Sequence, residues 1–115
     1  MEHDKRPWGE YWVLEDTETH KVKKVLVNKN GRLSLQYHKF RSEVWTIVSG
    51  VGTVTIDGVE KEYNVGEVAY IPQGAVHRIA NYGDTPLIFI EVQYGTYFGE
   101  DDIIRIEDDY QREDK

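Results

Sequence analysis

Short runs of β-branched and aromatic residues recur along the chain, and the residues between them are mainly Gly, Pro, Asn and Asp. None of these runs has the apolar spacing of an amphipathic helix. Several short strands separated by turn residues are typical of an all-β sandwich or barrel. The pattern predicts strands over residues 11–14, 22–27, 33–38, 44–48, 53–56, 59–65, 67–71, 77–80 and 87–92.

The pair Asp57-Gly58 separates two of these segments and predicts a β-hairpin. Both residue types tolerate the positive φ that a type I′ turn requires. Residues 72–74 and 81–84 predict further turns, since proline presets φ while Gly and Asn accept left-handed backbone. The charged stretch 107–115 predicts a frayed tail.

Length, charge and cysteine content limit the classes of function open to the chain. Its 115 residues have room for one modest core, so we expect a single domain over 1–115. A formal charge of −7 argues against nucleic acid, because binding it releases counterions to a basic surface. No apolar run is long enough to span a bilayer and no leader precedes the strands, so we expect a cytoplasmic protein without a membrane partner. The absence of cysteine leaves nitrogen and oxygen as the metal-binding atoms.

Alternation along residues 33–38 gives the first candidate site. Successive side chains of a strand point to opposite faces, so Gln36 and His38 share a face. Further strands begin near Glu43 and near His77, and a closed barrel would bring all four side chains to one interior point. Imidazole, carboxylate and amide groups suit one divalent ion with open positions for a substrate. The same ligand set accepts zinc, manganese, iron, cobalt, nickel or magnesium.

The candidate ligands also belong to two longer motifs. The first motif runs Gln36-x-His38-x4-Glu43-x6-Gly50. The second motif runs Gly66-x5-Pro72-x-Gly74-x2-His77-x3-Asn81. Together they resemble the two signature motifs of the cupin superfamily. The resemblance implies a double-stranded β-helix, a jelly-roll-like barrel, with the metal held by Gln36, His38, Glu43 and His77.

Further stretches, spread from end to end of the chain, resemble a narrower family. They are Arg6-Pro7-Trp8-Gly9 and the segments at 33–36, 70–72, 77–78, 90–93 and 99–103. They are similar to type II mannose-6-phosphate isomerases, which also occur as the C-terminal domain of bifunctional enzymes with mannose-1-phosphate guanylyltransferase. The resemblance implies a metal-dependent isomerase whose partner is a phosphorylated hexose, with mannose 6-phosphate and fructose 6-phosphate as the pair.

The resemblance also implies roles for residues around the metal. Isomerisation moves a proton between C1 and C2, so the site needs a base and a group that stabilises negative charge on oxygen. Glu43 is expected to be both ligand and base, and Lys39 is expected to assist it if Lys39 is buried or faces another cation. Arg41 can offer phosphate a planar, bidentate set of donors, although a structural ion pair with Glu43 is an equally open role. Further cationic candidates for the phosphate are Arg78, Arg105 and Lys23.

One departure from the family lies beside the predicted metal. The family has three consecutive histidines followed by Arg-x-Glu-His-Trp, whereas this chain has Lys39, Phe40 and Val44 at three of the histidine positions. If one of those histidines carries the proton in relatives, the chain is a non-catalytic metal- and sugar-binding module. Another cupin chemistry, such as that of a dioxygenase or a sugar epimerase, is the remaining alternative. Pairing of exposed edge strands also predicts a homodimer.

Overall fold

The computed structural model describes residues 2–110 and confirms the all-β prediction. Within that range the chain forms eleven strands and no helix, so none of it is a helix that could cross a membrane. The strands are β1 (Glu2–Arg6), β2 (Gly9–Asp16), β3 (His20–Val27), β4 (Leu35–Tyr37), β5 (Arg41–Ser49), β6 (Gly52–Ile56), β7 (Val59–Tyr63), β8 (Val68–Ile71), β9 (His77–Ala80), β10 (Leu87–Gly95) and β11 (Ile104–Glu107).

The strands form two sheets whose side chains meet in one core. One sheet has six strands in the order β1-β2-β3-β10-β5-β8, and the other has five in the order β11-β4-β9-β6-β7. Along β5 every second side chain from Arg41 to Ile47 is buried, as the period of a strand requires. Trp45 and Phe89 from the first sheet and Ile79 from the second belong to the same buried cluster. Full burial of one such aliphatic or aromatic side chain contributes about 1.5–3 kcal/mol.

All nine predicted strands are present, but their bounds shift and two strands are added. β5 begins at Arg41 rather than at residue 44, while β4 is confined to Leu35–Tyr37. The sequence pattern does not predict the edge strands β1 and β11: β1 is entirely polar, and β11 is only four residues long beside the charged tail. The predicted tail is also wrong at its start, since β11 includes Glu107 and the side chain of Asp108 is buried. Residues 111–115 of that tail lie outside the described residues.

Two backbone features fix the strand pairings nearest the site. The predicted hairpin is confirmed, with φ of 48° at Asp57 and 85° at Gly58 between β6 and β7. Gly95 has a φ of 154°, and a Cβ there would lie 2.2 Å from the carbonyl oxygen of Phe40. Glycine therefore allows the end of β10 to pair with the start of β5 at Arg41, just before the predicted metal ligand on that strand.

Candidate metal centre

Three of the four predicted metal ligands meet inside the barrel. One potential ligand atom from each of His38, Glu43 and His77 lies within 4.8 Å of the other two, and all three residues are buried. Glu43 is on β5 of the six-stranded sheet, His77 begins β9 of the five-stranded sheet, and His38 follows β4. The cluster therefore joins the two sheets across the interior.

Hydrogen bonds set the tautomer of both histidines. Nδ1 of His38 lies 2.6 Å from the carbonyl oxygen of Asp102, and Nδ1 of His77 lies 2.8 Å from that of Ala75. A carbonyl oxygen only accepts, so both Nδ1 atoms carry the proton and both Nε2 atoms keep a lone pair. Nε2 of His77 is buried without a hydrogen-bond partner among the described residues. A buried imidazole nitrogen that has no hydrogen-bond partner and belongs to a cluster with Glu43 and His38 fits a metal ligand.

Burial keeps the two imidazoles neutral. It lowers the pKa of His38 to about 4 against the opposing charge of Glu43, and it lowers the pKa of His77 as well. A neutral imidazole is the form that binds a metal ion. Both histidines are thus in the ligating state at neutral pH.

Glu43 is held as a carboxylate by donors on its own strand. Its Oε2 accepts a hydrogen bond of 2.9 Å from Nε of Arg41, and its Oε1 accepts one of 2.9 Å from Nε1 of Trp45. Burial opposes ionisation, but His38 and the permanent charge of Arg41 outweigh it and hold the pKa of Glu43 at about 2. His38 Nε2 lies 3.3 Å from Glu43 Oε2.

Gln36 lines the same cavity and pairs with His77 in the register of β4 and β9. Its Oε1 accepts a 2.8 Å hydrogen bond from the hydroxyl of Ser34 and retains a second lone pair. Two neutral imidazoles, one carboxylate and one amide oxygen form a donor set that fits a first-row divalent ion. His38, Glu43 and His77 would hold such an ion, with Gln36 as the fourth ligand.

Three of the four ligands, Gln36, His38 and Glu43, line a cavity of about 90 Å³ whose wall is strongly charged. Its cationic side chains are Arg6, Lys23, Arg41 and Arg105. Its carboxylates are Glu43, Glu91 and Glu100. The wall therefore has more cations than carboxylates, although the chain as a whole has a formal charge of −7.

Two of the predicted site residues lie elsewhere. Lys39 is exposed and is absent from the cavity wall, so the burial on which its expected role depended is not found. Arg78 follows the inward His77 on β9 and points to the opposite face, where it donates to Glu107 at 2.7 Å and to the carbonyl oxygen of Leu33 at 3.1 Å. Successive side chains of β9 point to opposite faces, so residues 77 and 78 cannot both face the same cavity.

Three other predicted residues do reach the cavity, and one of them, Lys23, lines it from β3. Arg105 lines it from β11, and Arg41 lines it while paired with Glu43. The ion pair anticipated as one of two roles for Arg41 is present. Arg41 also donates through Nη1 to the carbonyl oxygen of Gly99 at 3.3 Å, which connects β5 to the segment after β10.

The sequence reasoning missed Glu91, a buried carboxylate on the cavity wall. Burial, together with the charge of Glu43, raises the pKa of Glu91 to about 7. Nε2 of Gln93 donates a hydrogen bond to it. The signal was present in the predicted strand at 87–92, because alternation places Glu91 on the same face as Leu87 and Phe89.

A family model described as "Mannose-6-phosphate isomerase C-terminal" matches residues 2–108. Among curated proteins, the chain is 44% identical over 107 residues to mannose-1-phosphate guanylyltransferase ManC of Salmonella typhimurium, covering 93% of this chain and 22% of that protein. It is 47% identical over 107 residues to alginate biosynthesis protein AlgA of Pseudomonas aeruginosa, with the same two coverages. The chain thus spans about a fifth of the length of these relatives, and their names describe the longer proteins.

Solved structures show the same fold at low sequence identity. An oxalate decarboxylase from Lactobacillus farciminis superposes with a TM-score of 0.79 at 24% identity, over 91% of this chain and 33% of that one. A protein with a double-stranded beta-helix domain from Klebsiella pneumoniae superposes with a TM-score of 0.73 at 23% identity, over 83% of this chain and 76% of that one. The predicted double-stranded β-helix is confirmed by these neighbours.

Proposed function

This chain belongs to the family of the mannose-6-phosphate isomerase C-terminal domain, and from that premise we propose that it is a metal-dependent isomerase of a phosphorylated hexose. Mannose 6-phosphate and fructose 6-phosphate are the proposed pair. The observation that carries the proposal is the meeting of two neutral imidazoles and a carboxylate beside a cavity rich in cations. A cluster of metal ligands without an adjoining cavity, or a cavity without charged side chains, would not support this proposal.

The ligand cluster and the cavity have separate tasks in this proposal. His38, Glu43, His77 and Gln36 hold the divalent ion, which when bound supplies a Lewis acid for negative charge on the sugar oxygens. Arg41 and Arg105 face the substrate from the cavity wall. A domain over residues 1–115 would carry the complete site.

The proton requires a base other than Glu43. Both oxygens of Glu43 already accept hydrogen bonds, and its pKa of about 2 makes it a weak base. Glu91 lines the same cavity, accepts a hydrogen bond from Gln93 and forms no ion pair in the part of the chain described here. Its pKa of about 7 matches the operating pH of a general base. We therefore propose that Glu91 is the base that transfers the proton between C1 and C2, and that Glu43 is a metal ligand only.

The departures from the family pattern do not weaken this proposal. Lys39 and Phe40 are exposed, and Val44 lies between the inward side chains of Glu43 and Trp45 on β5. A histidine at position 44 would point outward as Val44 does, whereas positions 39 and 40 are exposed in the bend between β4 and β5. Residues 39, 40 and 44 do not line the cavity, which supports the isomerase over the non-catalytic alternative.

The test is formation of fructose 6-phosphate from mannose 6-phosphate by purified protein, first stripped of metal and then supplied with single divalent ions. Turnover that returns with one ion in the wild type and is lost in His38→Ala supports the proposal. His20→Ala, on the surface at the start of β3, is the matched control and should retain activity. Absence of turnover with every ion tested, while the sugar phosphate still binds, would instead establish a binding module.

The homodimer expected from the sequence stays a prediction. Edge strand β8 supports it, because Val68 and Tyr70 on that strand are about half exposed. Light scattering at several protein concentrations would decide the oligomeric state.

A further inference from the structure

Two buried lysines meet a single carboxylate, Glu100, and one of them, Lys23, lines the cavity together with Glu100. Nζ of Lys21 and Nζ of Lys23 each donate to the carboxylate of Glu100 at 2.8 Å. The lysines are only 4% and 6% exposed, whereas the side chain of Glu100 is 36% exposed. One carboxylate thus pairs with two ammonium groups, and its single negative charge balances only one of them.

Lysines in these positions are unusual for a core-facing strand. Lys21 and Lys23 occupy the inward face of β3, in line with Val25 and Val27. Lysine is almost never buried without a partner, because the ammonium group loses its hydration. The strand therefore has two ammonium groups at positions where apolar side chains would stabilise the core more. This indicates that the lysines bind a ligand rather than fill the core.

Every charged group facing the lysines bears on their binding of a ligand. Glu91 is the neighbour of Lys23 in the register of β10 and β3, and Lys23 also lies 4.2 Å from the centre of the Tyr11 ring. Arg41 on β5 is occupied by Glu43. Among described residues, Glu100 is the group that forms ion pairs with the two lysines.

Glu100 belongs to a segment that covers the cavity, residues 96–103 between β10 and β11. The side chain of Asp102 accepts the backbone N–H groups of Lys39 and Phe40 at 2.9 and 3.0 Å, while Arg41 binds the carbonyl oxygen of Gly99. The cavity volume of about 90 Å³ is well below the roughly 300 Å³ at which ligand pockets begin. A sugar phosphate therefore needs more space than the cavity has in this structure, and Glu100 is the charged residue of segment 96–103 on the cavity wall.

We infer that Lys21 and Lys23 form a phosphate-binding subsite, and that the carboxylate of Glu100 occupies this subsite until the phosphate group of a ligand displaces it. A phosphate dianion brings three acceptor oxygens and two charges to the two ammonium groups, whereas Glu100 brings one charge. The identity of the ligand as a sugar phosphate rests on the proposed function, but the anion subsite rests on the lysines alone. Binding of the phosphate and release of segment 96–103 then occur together.

The experiment measures binding of inorganic phosphate, fructose 6-phosphate and fructose to the full chain by calorimetry. Lys21→Met and Lys23→Met should each weaken fructose 6-phosphate binding about tenfold or more, as expected for loss of a charge-assisted hydrogen bond. Fructose binding should not change. Lys24→Met is the matched control, because Lys24 lies on the outward face of β3 over the ring of Trp12 and should bind as the wild type does.

Glu100→Gln separates a displaceable carboxylate from a structural one. The amide removes the competing negative charge, so affinity for inorganic phosphate and for fructose 6-phosphate should rise several-fold. Unchanged or weaker phosphate binding in a folded Glu100→Gln protein would overturn the inference, as would wild-type affinity in Lys23→Met. If phosphate binding changes in these variants as expected but the wild type shows no turnover, the isomerase proposal is refuted and the phosphate subsite stands. If the wild type turns over the sugar phosphate but the variants bind phosphate as the wild type does, the subsite is refuted and the isomerase proposal stands.

Discussion

Glu43 illustrates how a strand can prepare one side chain for metal binding. Arg41, Glu43 and Trp45 lie two residues apart on β5, so they share a face, and both neighbours donate to the same carboxylate. Such outer-shell donors orient a ligand and hold it ionised. The role of Trp45 is therefore double, since its ring is also packed in the core.

Trp45→Phe should weaken metal binding while most of the core remains filled. The substitution removes the Nε1 donor to Glu43, and loss of an outer-shell partner typically costs about 10–100-fold in metal affinity. Competition with a metal indicator measures the change. Trp12→Phe, on the outward face of β2, should leave the affinity as it is; an equal loss in both variants would assign the effect to general destabilisation.

Glu91→Gln should stabilise the metal-free protein at pH 8 and not at pH 5. Burial, with the charge of Glu43, raises the pKa of Glu91 to about 7 from 4.5, so the folded state holds this proton more tightly than the unfolded state does. That contribution to stability is complete below pH 4.5 and is lost as pH rises through 7. A neutral amide avoids the loss, which for a shift of this size is about 3 kcal/mol.

Urea unfolding of both proteins at the two pH values measures the difference. The same variant should lower isomerase turnover about 100-fold or more, in line with removal of a general base. Equal gains in stability at pH 5 and pH 8 would contradict the assigned ionisation of Glu91. Unimpaired turnover in Glu91→Gln would show that another residue is the general base.

At the scale of strands and loops, alternation explains which site residues the sequence could supply. The period of two places Gln36 with its neighbouring ligand and would have excluded Arg78 once His77 was taken as inward. The ion pairs of Lys21 and Lys23 had no such signal, because Glu100 is 77 to 79 residues away and meets them only after β3 and β10 pair. The face to which a strand side chain points can thus be predicted from the sequence, whereas the position of the segment that covers the cavity cannot.

Gly95→Ala should be strongly destabilising, by about 2–4 kcal/mol, because steric overlap adds to backbone strain. The new Cβ would lie 2.2 Å from the carbonyl oxygen of Phe40, and the backbone cannot yield without separating β10 from β5. Gly58→Ala is the matched control: its φ is also positive, but nothing lies within 4 Å of its Cβ, so only about 1–2 kcal/mol of left-handed strain is expected. Denaturant unfolding compares the two, and similar losses would show that backbone strain alone accounts for the effect at Gly95.

For the molecule as a whole, the candidate site is also the place where the two sheets are joined by polar groups. Glu43 belongs to the six-stranded sheet and His77 to the five-stranded sheet, and the hydrophobic core that includes the neighbouring Trp45 also joins the two sheets. The unpartnered Nε2 of His77 is a cost to the metal-free fold, since a buried acceptor has lost its water. An ion bound by both sheets would remove that cost and connect them.

Divalent metal should therefore raise the thermal midpoint of unfolding, and the gain should depend on ligands from both sheets. Metal at about 100 times its Kd stabilises a folded protein by about 2.7 kcal/mol if the unfolded chain does not bind it. His77→Phe keeps a ring against Trp45 but removes Nε2, so its midpoint should not respond to metal. His3→Phe, on exposed strand β1, should show the full wild-type gain. Scanning calorimetry with and without chelator makes the comparison, and an undiminished gain in His77→Phe would place the ion outside this cluster.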